Sequence, residues 1–505
     1  MTVTRTDVTI GPDPRRVVAR LFLPGQEIAA PGPSRAEAVI DRCLALSEAE
    51  VGKELARLVE LHSPRHRDFT GILETDFDAV AHRLDEQTVL SPERRRLIGA
   101  CFTAEYAIEG AALFNPCLVP HPDDDGSPDR RRFVMSARAV GEGHISSVVF
   151  LTGTVTLGPD GRPSTTIDDR SPIVTTGRHR LGLIDRERTR REATTAGADA
   201  DTVAFVLEHL PVEFTYTAFY EALRALEDQR LTRVHSAETT AALRATAAAS
   251  YHLDFDPETA VSERVIMPAV EREGHGVEDA RFVRFVDDDG TATYLATYTA
   301  FDGRRVASGR LQTDDFQHFT AGPLTGAAAA NKGLALFPRP VGGRQLALSR
   351  WDRENNALAV SEDGHHWQDA VAIQTPARPW ELVQLGNCGS PLETAHGWLV
   401  LTHGVGPMRT YAIGALLLDL ADPTIVVGCL REPLLVPEPD ERDGYVPNVV
   451  YSCGGMQFGR FYLLPYGCSD STIRMAVIDL PDLLGRLVNA PPTLPSVRGH
   501  RHDHA

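Results

Sequence analysis

The apolar positions of this 505-residue chain change period three times, and the changes divide it into segments. From about residue 34 to 112 they recur at helical spacing, as in Ala36, Val39, Ile40, Cys43 and Leu44, then Val51, Leu55, Leu58, Val59 and Leu61. That spacing lines apolar side chains along one side of successive helices. At Leu113 the pattern turns to strands, 132–138 (RFVMSAR) and 144–156 (HISSVVFLTGTVT), with Gly141 and Gly143 marking the turn between them. Helical spacing returns between about 185 and 249, in 204–210 (AFVLEHL) and 218–226 (AFYEALRAL), and strands take the rest.

The later strands come in pairs that repeat. Residues 293–299 pair with 306–312, 344–350 with 357–361, 397–403 with 411–418, and 460–466 with 473–478. The polar end of the first strand in each pair falls at Thr299, Arg350, His403 and Tyr466, a spacing of about 50 to 60 residues that marks a propeller. Arg138 ends the equivalent strand of a fifth pair, about 160 residues before Thr299, and the excess of roughly 110 residues matches the second helical segment. The expected fold is therefore mainly β, a five-bladed β-propeller with an N-terminal helical region and a helical insertion after the first blade. The expected division is 1–110 helical, 111–156 first blade, 157–254 helical insertion, 255–490 remaining blades, and 491–505 a disordered tail. In a propeller these strand ends gather at the mouth of a central cavity, so Arg138, Arg350 and His403 become candidates for one pocket.

Composition narrows the partners. With 42% hydrophobic and 24% charged residues the chain is an ordinary globular one, and its formal charge of −18 argues against a nucleic-acid partner. No stretch approaches the roughly 18 apolar residues of a membrane span, and the first residues lack the basic start and apolar run of a secretory signal. A cytoplasmic location is the expectation, with no membrane partner. Seven scattered cysteines without a CxxC pair read as reduced, mostly buried side chains, and no metal site is expected. The His-rich end, 498–505, reads as part of the frayed tail. Trp367 and Trp398 stand in strand contexts that suggest packing between blades, while Trp351 and Trp380 could stack on sugar rings.

Of 51 basic residues only Lys53 and Lys332 are lysine. A chain that uses Arg almost everywhere makes Lys332 a candidate for a place that needs a compact ammonium. The densest chemical signal is 276–281 (GVEDAR). Two adjacent carboxylates are costly to bury unless an Arg pairs with one, leaving the other for acid chemistry; by itself the motif suits a structural salt bridge equally well.

These residues belong to an ordered set: 276–281 (GVEDAR), 298–301 (YTAF), 331–338 (NKGLALFP), 397–405 (GWLVLTHGV), 414–423 (GALLLDLADP) and 446–450 (VPNVV). Together they closely resemble glycoside hydrolase family 130, the β-mannoside phosphorylases and β-1,2-mannosidases, over about 111–156 and 255–480. The resemblance implies a five-bladed propeller and Asp279 as the general acid, protonating the glycosidic oxygen through a hydroxyl of the bound mannose with inversion at the anomeric carbon. It also implies Lys332 and Arg350 as phosphate ligands, and the repeat puts His403 in the same ring as a third. Asn115, Arg138, His144, Glu278, Arg281 and Asp470 are candidate sugar contacts, although Asn115 and Asp470 also suit turns.

Inorganic phosphate would be the co-substrate, with no other cofactor. The expected activity is phosphorolysis of a β-mannoside, β-1,2-linked, to α-mannose 1-phosphate; the alternative is hydrolysis of the same bond with Glu354 or Glu393 as base. The helical additions cover one propeller face, form a homo-oligomer interface or shape the acceptor subsites.

Overall fold

The computed structural model describes residues 2–24, 34–85, 87–195, 197–227 and 236–490. The protein is mainly β, and its strands form successive antiparallel sheets in chain order. The first sheet contains Ala112–Pro120, Arg130–Val140, Ser146–Leu157 and Pro163–Ile167. Gly276–Val286, Ala292–Phe301, Val306–Thr313 and His318–Pro323 make the second, joined to the first by a single parallel contact between Gly276 and Ser146. The third sheet is Ala335–Leu336, Gln345–Ser349, Asn356–Ser361 and Asp369–Gln374, and the fourth is Gln384–Asn387, Gly397–Val405, Tyr411–Leu418 and Val426–Cys429. In the fifth, Val450–Tyr451, Phe461–Cys468 and Thr472–Asp479 are completed by the N-terminal strand Val3–Ile10.

Alternation explains how each sheet finds two neighbours. In Gly397–Val405, Trp398 and Val400 pack with Phe337 and Leu348 of the third-sheet segment, whereas Leu399 and Leu401 pack with Tyr462 and Leu464 of the fifth sheet. The same device joins first to second through Phe150, Phe282 and Phe316, and second to third through Leu295, Leu336 and Trp367. It also joins fifth to first, through Leu113, Met135, Ile473 and Met475.

Four helices, Arg35–Ala45, Glu48–His62, Phe69–Val80 and Pro92–Cys101, form the N-terminal region; Ser34 with Glu37, and Ser47 with Glu50, close capping boxes on the first two. Arg186–Thr195, Ala200–Leu207, Tyr216–Glu227 and Ser236–Ala248 pack around their own core of Phe219, Leu223 and Leu243. Among the described residues no helix is long and apolar enough to cross a membrane.

Several expected boundaries need correction. Residues 1–110 are not wholly helical, since Val3–Ile10 belongs to the fifth sheet and Val17–Leu21 pairs with Thr103–Ala107. The first sheet does not end at 156, because Pro163–Ile167 adds its fourth strand. Within 157–254, Tyr251–Asp254 extends the second sheet and carries Arg178–Leu181 on its other edge. The expected tail at 491–505 lies outside the described residues.

Candidate active site

A cavity of about 640 Å³ opens where the five sheets meet, and every sheet supplies part of its lining. Its floor comes from the start of each sheet. Asn115 and Asp279 sit in the first strands of sheets one and two at β-bulges, the register shifting between Phe114 and Cys117 and between Glu278 and Arg281. Both residues have φ near the left-handed region, 49° and 54°. A bulge re-aims a side chain out of the pleat, and strained backbone of this kind concentrates at functional sites. Asp279 therefore lies inside the strand Gly276–Val286.

The bulges bring the two side chains together: Asn115 Nδ2 donates to Asp279 Oδ1 at 2.7 Å, and Asn115 Oδ1 is buried without a partner. Arg138 Nη2 lies 2.6 Å from Glu278 Oε1 and Nη1 lies 3.6 Å from Asp279 Oδ1. The cation that pairs with Glu278 thus comes from the first sheet; Arg281 instead donates to the Asp279 carbonyl at 2.9 Å and to the Tyr451 hydroxyl at 2.6 Å. Burial pushes the Glu278 carboxyl upward against the pull of Arg138.

Burial also presses the Asp279 carboxyl upward, but Arg138, Lys332, Arg281 and the Asn115 amide outweigh it and hold the group at about 2. Asp470, at the fifth-sheet turn with φ of 49°, shares the cavity. Burial and the nearby charge of Asp279 push it up to about 6, against Arg138, Arg409 and Lys332. Two carboxyls are thereby driven apart in one pocket, the arrangement that separates acid and base roles. The folded state holds the Asp470 proton more tightly than the unfolded chain does. Its contribution to stability is complete below the ordinary carboxylate range and lost as pH rises through about 6; that of Asp279 is present above that range and lost as pH falls through about 2.

Ionising Asp470 also adds a negative charge to a cavity suited to anions. Sulfate, whose own charge is constant here, is expected to bind about fivefold more weakly at pH 7 than at pH 5, by calorimetry, with Asp470→Asn flattening the profile. A profile that stays steep in that variant would reject the assignment.

The opposite wall is basic. Lys332 lies between Asn331 (φ 70°) and Gly333 (φ 91°), a turn held by Asn331 Nδ2 donating to the Arg350 carbonyl at 3.2 Å and Asn387 Nδ2 donating to the Gly333 carbonyl at 2.7 Å. Arg350 is buried with its Nε unpartnered. Its stem lies against Gly386, where an added Cβ would come within 2.1 Å of Arg350 Cδ and 2.8 Å of His403 Cε1. Gly386→Ala is therefore expected to displace Arg350 and raise the KM for an anionic co-substrate about tenfold, with a smaller effect on the KM for sugar. Steady-state kinetics with each substrate varied in turn measures this, and equal rises in both would show a general distortion.

Of the other expected site residues, His403 does not line the cavity. It is fully buried behind Arg350, its Nδ1 2.9 Å from the Asn387 carbonyl and its Nε2 without a partner, and burial and Arg350 keep it far below the usual histidine range. There it supports Tyr411 and Tyr451, which do line the cavity. His144 is exposed in a first-sheet turn, its Nδ1 2.9 Å from the Tyr445 hydroxyl. Neither Glu354, which is exposed, nor Glu393, which pairs with Arg339 at 2.6 Å, reaches the lining. Trp367 and Trp398 are fully buried, and Trp351 is exposed.

Sequence reasoning missed Tyr451, Gln384 and Asn331, and four arginines at the mouth, Arg304, Arg305, Arg353 and Arg409. The repeat held the missing signal, because each of the four arginines lies in the turn that follows the second strand of its sheet. The lining counts eight cations against the carboxylates of Asp279 and Asp470.

Two carboxyls, Asp279 and Asp470, facing a basic wall at the meeting point of five sheets make a site whose chemistry suits a polar substrate and an anion. The family model of glycoside hydrolase family 130, described as beta-1,4-mannooligosaccharide phosphorylase, matches residues 206–488. A 1,2-beta-oligomannan phosphorylase of Thermoanaerobacter sp. (strain X514) is 32% identical over 228 residues, 43% of this chain and 73% of that protein. A beta-1,2-mannobiose phosphorylase of Listeria innocua is 31% identical over 231 residues, 44% of this chain and 63% of that protein. A solved structure of the beta-1,2-mannobiose phosphorylase from Listeria innocua superposes with a TM-score of 0.44 at 21% identity, over 76% of this chain and 93% of that one. The protein belongs to glycoside hydrolase family 130.

Proposed function

We propose that the protein is an inverting β-mannoside phosphorylase built on a five-bladed propeller. A β-1,2-linked mannoside and inorganic phosphate give α-mannose 1-phosphate and a sugar one mannose shorter. The propeller reading rests on five sheets in chain order, each packing on the next and the fifth on the first. The β-1,2 linkage follows the curated relatives, which act as 1,2-beta-oligomannan and beta-1,2-mannobiose phosphorylases.

The observation that carries phosphorolysis is the positive charge of the inner cavity. Arg138, Arg281, Lys332 and Arg350 converge there, in a protein of net charge −18, and among the described residues eight lining cations face only two lining carboxylates, Asp279 and Asp470. Phosphate is already a nucleophile and needs cations to hold it, whereas water needs a carboxylate base. Lys332 and Arg350 hold the phosphate, Asn115 and Asp470 take sugar hydroxyls, and Asp279 supplies the proton to the leaving oxygen, through a hydroxyl of the mannose. Arg138 and Glu278 position Asp279.

Asp279 is ionised in the free cavity, because three cations face it. A phosphate dianion neutralises Lys332 and its neighbours, and a bound sugar expels water. Burial then dominates, so that Asp279 takes up the proton it later gives.

Incubation with β-1,2-mannobiose, with and without inorganic phosphate, tests the reading. Mannose 1-phosphate formed only when phosphate is present is the expected product. Free mannose released at a rate indifferent to phosphate would overturn it.

A further inference from the structure

The mouth of the cavity is built from the turns between the second and third strands of the sheets, and its chemistry differs from that of the floor. The second sheet contributes Arg304 and Arg305, the third Arg353 and the fourth Arg409, all of them exposed and all lining the cavity. Among the described residues none of these four guanidinium groups has an ion pair or a side-chain hydrogen bond. Elsewhere surface arginines find carboxylates, as Arg339 finds Glu393 and Arg460 finds Asp479. Asp302, in the same turn as Arg304 and Arg305, accepts from their backbone N–H groups, at 2.7 and 2.6 Å.

A guanidinium only donates, so four of them offer a neutral sugar no acceptors for its hydroxyl protons. They do suit an anion, held in planar, charge-assisted pairs. The inner cavity already has its own cations for inorganic phosphate, Lys332 and Arg350. With mannose beside Asp279, the part of the substrate that reaches the mouth is the part that leaves.

We propose that this rim is an acceptor subsite for a negatively charged sugar, so that the preferred leaving group carries a phosphate or carboxylate substituent. This rests on the phosphorylase reading given above.

The test runs the reaction toward synthesis, with α-mannose 1-phosphate as donor and mannose, mannose 6-phosphate or glucuronic acid as acceptor. At low salt the charged acceptors are expected to show kcat/KM about tenfold above mannose, an advantage that shrinks as salt screens the rim. In the fourfold variant Arg304→Gln, Arg305→Gln, Arg353→Gln, Arg409→Gln the ratio of charged to neutral acceptor should fall to about one. A gain for mannose 6-phosphate alone assigns a phosphate monoester, and a gain for both assigns any anion. Mannose used as well as the charged sugars overturns the proposal. So does a variant whose main defect is a raised KM for mannose 1-phosphate, since the rim would then collect the donor.

If no acceptor is mannosylated, the phosphorylase reading has failed. Calorimetry under saturating inorganic phosphate then decides the rim alone: mannose 6-phosphate binding to the wild type but not to the variant upholds it, and equal binding refutes it.

Discussion

Replacing Asp279 by Asn is expected to lower phosphate-dependent cleavage by about a thousandfold or more, because a general acid contributes on the order of 10²–10⁴ and an amide cannot donate its proton to the leaving oxygen. The substitution isolates chemistry from folding. Asp279 has a φ of 54°, a region Asn tolerates, so the bulge survives. Arg138 keeps Glu278 as its partner at 2.6 Å, so no buried cation is stranded. The melting temperature should shift little while turnover disappears. A variant that retained a tenth of the activity would remove Asp279 from the role of acid.

Lys332→Gln should raise the KM for phosphate about hundredfold, since charge-assisted hydrogen bonds to a dianion are among the strongest in proteins. The effect on stability should be small, because Lys332 makes no hydrogen bond or ion pair among the described residues, and its turn is held by Asn331 and Asn387. Lys332→Arg is not expected to rescue it. The turn lies against Arg350, with the Gly333 Cβ position 3.3 Å from Arg350 Cδ, and a planar guanidinium does not fit the space an ammonium fills. Kinetics with phosphate varied at saturating mannoside give the answer; a normal phosphate KM in Lys332→Gln would move the anion elsewhere on the basic wall.

Most of the sheet framework was legible in the sequence, and the reason is local. Adjacent strands such as Gly397–Val405 and Tyr411–Leu418 are buried on both faces and joined by a short turn, so period and turn residues sit within one window. The outer strands were harder. Pro163–Ile167 is short and half exposed, and Val3–Ile10 pairs with Thr472–Asp479 across nearly the whole chain. Its alternation announces a strand but not a partner.

The site divides in the same way. Asp279, Lys332, Arg138, Arg350, Asn115, Arg281 and Asp470 could be named from motifs and strand ends, and the structure brings all seven to one cavity. His403 had the right position in the repeat, yet its side chain is buried behind Arg350. The repeat fixes where a strand ends but not which of two faces a side chain takes.

What the sequence by itself determined is the set of local decisions: helices where apolar residues recur with their period, strands where they alternate, turns between them, and one of only two lysines in an arginine-rich chain. Only the tertiary structure decided which charges face one another. That Arg138 rather than Arg281 holds Glu278, that Asp279 and Asp470 are pushed to about 2 and about 6, and that four turn arginines crowd one mouth depend on residues up to hundreds of positions apart. Coulomb energy depends on distance and burial, and neither is written in the spacing of residues along the chain.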